Sequence, residues 1–105
     1  MIKIKNFTPH IIRTQSGAEF KPEGIARLST TFKAIKRVQG EVFYERENIL
    51  KLPPPEPGVF YIVSAITLAV AKSRGREDCI SPAVFHPRAV RNKYGKVQIV
   101  PGFIF

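Results

Sequence analysis

Cysteine is nearly absent from this chain of 105 residues, with Cys79 the single example. One thiol cannot close an internal disulfide, which excludes the bridge-stapled scaffolds of small secreted domains and points to a reducing, cytoplasmic setting. Acidic residues are scarce as well: 8 Asp and Glu stand against 17 Lys and Arg, for a formal charge of +9. Long apolar runs are missing. The longest, Val59 to Ala71, spans about 13 residues against the roughly 20 that a membrane-crossing helix needs, so no membrane partner is expected. The opening MIKIKNFTPH alternates Ile and Lys and has no apolar core before a small-residue cleavage site, unlike a signal peptide. There is no Cys-x-x-Cys, no His-x-x-x-His and no glycine-rich loop before a helix, so neither a metal, nor a bound nucleotide, nor any other cofactor is expected.

What is present is an ordinary globular balance, 44% hydrophobic and 24% charged, in a length that suits a single domain over 1–105. Ile2 and Ile4 alternate with Lys3 and Lys5 as in a strand with one wet face, and Pro9 then interrupts the pattern. A hairpin is expected around Gln15-Ser16-Gly17, a turn at Lys21 to Gly24, and a break at Gln39-Gly40 before the strand nucleus Val42-Phe43-Tyr44, with Asn48 ending that strand. From Ile25 to Val38 the β-branched residues favour strand, although Phe32 to Arg37 also fits one helical turn. Leu52 to Gly58 carries four prolines and reads as a stiff, extended connector. Val59 to Val63 is a strand, Ser64 a helix N-cap, and a mostly buried helix is expected over about 64–74, stopping at Gly75. A final hairpin turns at Asn92 to Gly95. The sum is an α+β fold: a curved, mostly antiparallel sheet or partial barrel of short strands with one main helix.

Three patches carry a resemblance. Asn6-Phe7-Thr8-Pro9-His10 is similar to the Asn-Leu-Thr-Pro-His opening of a family of small uncharacterised proteins from bacteriophages, prophages and related mobile elements, with Phe7 in place of Leu. Leu52 to Ser64 resembles that family's Leu-Pro-x-Pro-x-x-Gly segment running into Tyr-Ile-Val-Ser. Arg76-Glu77-Asp78 with Pro82, then Val90-Arg91 with Gly95, resemble its closing motifs, with Glu77 and Asn92 replacing aspartates. The resemblance spans nearly the whole chain. It implies a virus- or mobile-element-encoded accessory protein and supplies no catalytic residue.

Cys79 with His10 or His86 is the raw material of a nucleophile pair, but a lone Cys beside Ile80 in a strand fits a buried structural residue better. His10 and His86 are the acid and base that a metal-independent phosphodiesterase or nuclease would need, and the residues weigh more towards a protein that is not an enzyme. Asn6, Thr8, His10, Ser64, Arg76 and Asp78 form a possible polar cluster, each also explained by local capping or ion pairing. The basic excess falls into three groups: Lys33, Lys36 and Arg37; Lys72, Arg74 and Arg76; and Arg88, Arg91, Lys93 and Lys96 beside Tyr94. The last, on a hairpin with an aromatic at its tip, is the best candidate nucleic-acid surface. The leading expectation is therefore a basic nucleic-acid-binding module. Its alternative is a protein-protein accessory factor, binding a host or viral protein or forming a homo-oligomer, motivated by the Phe103-Ile104-Phe105 tail and the Pro53 to Pro57 segment.

Overall fold

The computed structural model describes residues 2–105, and its elements run in the order β1 (Lys3–Asn6), β2 (Ile12–Arg13), β3 (Glu19–Phe20), β4 (Arg27–Val38), β5 (Glu41–Lys51), β6 (Val59–Ile62), α1 (Ala65–Ser73), β7 (Cys79–Pro82), β8 (Val90–Arg91), β9 (Val97–Ile99) and β10 (Phe103–Ile104). Strands with one helix make this an α+β protein. Its central sheet has the order β1-β6-β7-β10. Here the expectation of a mostly antiparallel sheet needs correcting: β1 pairs parallel with β6 and β6 parallel with β7, and only β7 with β10 is antiparallel. Between β6 and β7 the reason is α1, because a strand that enters a helix and returns beside itself completes a crossover, which makes its two strands parallel. The sheets stay open, without a closed barrel.

The core lies between this sheet and α1. Tyr61, Val63, Leu68, Ala71 and Cys79 form its buried cluster, with Phe7, Ala26, Leu50, Leu52 and Val59 packed around it. The Phe7 ring meets Tyr61 edge-on at 5.1 Å between centroids. On the sheet's other side Phe60 packs edge-on against Phe105 and Phe20 against Phe103, so both tail phenylalanines have ring partners, although Ile104 and Phe105 stay 50% and 64% exposed. Ser64 caps α1, its hydroxyl accepting from the Thr67 amide at 3.3 Å. The helix is less buried than its apolar content implies. Only Thr67, Leu68 and Ala71 are enclosed, while Ile66 is 72% exposed.

Three antiparallel ladders are attached to this body: β2 with β3, β8 with β9, and β4 with β5. The first two are short. The Val100 amide donates to the Arg13 carbonyl and the Gln15 amide to the Val100 carbonyl, which ties the β2-β3 hairpin to the chain just after β9. The β4-β5 ribbon is different in kind, with strands of 12 and 11 residues that run past Asn48, where an end was expected. Its two-residue turn is Gln39-Gly40, both at positive φ (51° and 82°), the combination whose twist matches a hairpin. Cross-strand pairing of Ala34 with Tyr44 and Arg37 with Val42 resolves the strand-or-helix ambiguity of Phe32 to Arg37 in favour of strand, with an irregularity between Ala34 and Lys36.

Candidate functional site

The polar cluster separates into three local devices. At β1, the Asn6 side-chain amide donates to the carbonyls of His10 and Phe20 at 2.7 and 2.8 Å. Its Oδ1 accepts from the Thr8 amide and hydroxyl at 2.9 and 2.7 Å. Asn6 is 1% exposed, so this is a buried, fully used amide that ties the kink at Pro9 to β3. His10 takes part through its backbone, with its side chain at the surface. Ser64 serves α1 alone.

Arg76 and Asp78 make the third device. The guanidinium donates to both carboxylate oxygens at 2.8 Å and to the Pro53 carbonyl at 3.0 Å, and it lies over the Tyr61 ring at 5.9 Å. This fork clamps the proline connector onto the start of β7. The hydrogen bonds from Arg76 hold the Asp78 carboxyl below its ordinary value, and the same bonds raise Arg76. Burial, with the neighbouring Asp78 charge, pushes the Cys79 thiol up to about 11, so it is a neutral core residue at physiological pH and no nucleophile.

On the basic hairpin, Arg91 is committed internally. Its guanidinium donates to the carbonyls of Gly95 at 2.9 Å and Val84 at 2.8 Å, while Asn92 Oδ1 accepts from the amides of Tyr94 and Lys96 at 2.9 Å each and shapes the turn. Lys93 lies over the Tyr94 ring at 5.1 Å, and Tyr94 is 81% exposed. Arg88 and Lys96 are exposed too. A cleft of about 350 Å³ brings His10, Arg13 and Lys96 together among Ile12, Val84 and Val97. Arg13 there is paired with Glu19 at 3.1 Å. His86, the other half of the acid-base pair, has its Nδ1 accepting from the Arg88 amide at 3.0 Å and is not a wall of this cleft. Among the described residues no three His, Cys, Asp or Glu side chains stand together as metal ligands, and no helix is long and apolar enough to cross a membrane.

The feature that residue-by-residue reading missed is the β4-β5 ribbon. Residues opposite each other across an antiparallel pair share a face. One face therefore carries the pairs Leu28 with Leu50, Thr30 with Asn48, Phe32 with Arg46 and Ala34 with Tyr44, a set with no carboxylate. Phe32 and Tyr44 meet edge-on at 6.5 Å although they are 67% and 60% exposed. The base of this face and the uncovered side of α1 enclose a groove of about 460 Å³ lined by Leu28, Thr30, Arg46, Ile66, Ala69 and Val70. The other face pairs Ser29 with Ile49, Thr31 with Glu47, Lys33 with Glu45 and Lys36 with Phe43, and Lys36 lies over the Phe43 ring at 5.6 Å. The available signal was the unusual length of strand-forming sequence on both sides of Gln39-Gly40. Comparison with protein-family models, with curated proteins and with solved structures finds no match.

Proposed function

We propose that this protein is a non-enzymatic accessory module that docks protein on its β4-β5 ribbon, and that it comes from a virus or mobile element and works in the host cytoplasm. The origin rests on the resemblance of its Asn6 to His10, Leu52 to Ser64 and Arg76 to Gly95 segments. The docking role rests on surface. The chain exposes 7761 Å², whereas a compact monomer of its mass, 11.8 kDa, exposes about 5,900 Å². Its radius of gyration is 17.1 Å against about 13 Å for a compact chain of this length. The two-stranded ribbon bears Phe32, Ile35, Phe43 and Tyr44, all exposed, and such ribbons are marginal without a covering layer.

The test is co-purification from the producing cell of the full chain and of a variant in which residues 31–47 are replaced by Asn-Gly. A protein held in fixed proportion by the full chain and lost from the shortened one, whether a foreign protein or another copy, is the expected result. Equal protein content in both ends this reading.

One observation favours a second reading, nucleic-acid binding: Lys93, Tyr94 and Lys96 stand exposed at one hairpin tip beside Arg88. Anisotropy titration with single-stranded DNA and RNA at two salt concentrations tests it. Binding that weakens steeply with salt and drops in Lys93→Glu/Lys96→Glu supports it, and no binding at low salt removes it.

A further inference from the structure

The two strands of the ribbon carry opposite charge. From Thr31 to Val38, β4 has Lys33, Lys36 and Arg37 and no carboxylate; from Glu41 to Glu47, β5 has Glu41, Glu45 and Glu47 against Arg46 alone. Both strands are edges, since the ribbon contains only these two. Nearer the body the Asn48 carbonyl accepts from the Arg74 guanidinium, so the open stretch of β5 begins beyond it. The open length is eight residues on β4, roughly 26 Å of unpaired backbone donors and acceptors.

We infer that the occupant of these edges is a second copy of this chain, bound head to tail: β4 of one ribbon pairs antiparallel with β5 of the next. This rests on the docking role proposed above and names its partner. Charge selects the arrangement. Pairing β4 with β4 of a second copy brings two net-positive strands together and pairing β5 with β5 two net-negative ones, whereas β4 on β5 brings opposite net charges together, as within one ribbon, where Lys33 stands opposite Glu45. Ribbons side by side in one orientation satisfy this antiparallel pairing and leave a fresh β4 edge at one end and a fresh β5 edge at the other. The contact is therefore heterologous, and it grows until a ring closes.

Nuclease-treated full chain at about 100 µM in physiological salt is examined by sedimentation and light scattering. The expected mass is that of three or more chains. A β4-reversed variant (Lys33→Glu, Lys36→Glu, Arg37→Glu) and a β5-reversed variant (Glu41→Lys, Glu45→Lys, Glu47→Lys) are each expected to associate at least tenfold more weakly. Their equimolar mixture is expected to assemble again, because each reversed edge then meets its complement on the other chain. Amide exchange on the unaltered protein covers the case in which a variant misfolds: protection is expected on both edges, Thr31 to Val38 and Glu41 to Glu47, rising with concentration. A wild-type mass that stops at one or two chains, protection confined to one edge, mass unchanged by folded reversal variants, or mass lost with nuclease treatment overturns the pairing. A monomer whose ribbon still holds a foreign protein overturns this inference and leaves the docking role standing. A monomer whose protein content is indifferent to ribbon shortening overturns both.

Discussion

Asn6 decides how β1 leaves the sheet. A buried side-chain amide with four hydrogen bonds replaces the ladder partners that Pro9 and the kink remove, and an aspartate there would lose both donors. Asn6→Ala leaves the carbonyls of His10 and Phe20 and the Thr8 hydroxyl to find new partners, and it is expected to lower stability by about 3 kcal/mol, read as a fall in Tm on the order of 15 °C. Arg76 and Asp78 offer a pH-dependent counterpart. Because the folded carboxyl lies below its unfolded value, the pair's contribution is fully present above the unfolded value of about 3.9 and is lost as pH falls through the lowered folded value. Asp78→Asn is therefore expected to cost about 2 kcal/mol in denaturant melts at pH 7, and the gap from wild type is expected to narrow as pH falls below the unfolded value of about 3.9. Both residues stood out in the sequence as polar groups in a motif. That Asn6 and Arg76 belong to separate devices was not legible, because each has, beside its local partners, a backbone carbonyl from a distant segment, Phe20 for Asn6 and Pro53 for Arg76.

Elements show the same division between local and distant causes. The N-cap of α1 and the Gln39-Gly40 turn follow from the residues themselves, a hydroxyl before a helix and a dipeptide able to take positive φ. Replacing Gln39 with Asn, which enters the left-handed region more easily, is expected to stabilise the ribbon by about 0.5 kcal/mol, detectable as slower amide exchange at Val38 and Glu41. The burial of α1, in contrast, was overstated by its composition. Its rows Ala65 with Ala69 and Ile66 with Val70 are apolar, yet the sheet beneath reaches only Thr67, Leu68 and Ala71, and the remaining rows border the groove under the ribbon. Sheet direction was also hidden, since no residue of β6 or β7 records whether its neighbour runs parallel. The length and placement of the helical crossover between them decide that.

At the scale of the molecule, a small body carries a ribbon that contributes little to its core. Leu50 and Leu52 pack into the buried cluster, whereas residues 31–47 contribute no buried side chain. The variant with 31–47 replaced by Asn-Gly is accordingly expected to keep a cooperative thermal transition while its radius of gyration in solution scattering falls towards about 13 Å. Loss of the transition would place the ribbon inside the folding unit. The charge of +9 belongs to this scale as well. The 17 basic residues behind it are spread over ribbon, helix end and hairpin, some paired with carboxylates, as Arg13 with Glu19 and Arg76 with Asp78, and some committed to carbonyls, as Arg91 is.

By itself the sequence determined what depends on neighbours along the chain: strand tendency from β-branched residues, the capped start of α1, the turns at glycine, the extended proline connector and the inertness of a lone cysteine among apolar residues. Tertiary structure alone decided which strands run parallel, which polar residues meet, and that two long strands leave the body with residues 31–47 contributing no buried side chain. The physical reason is the range of the interactions. Propensity and capping act within a few residues, while register, burial and edge exposure are set by segments far apart in sequence, such as Lys3 with Val59 or Arg74 with Asn48.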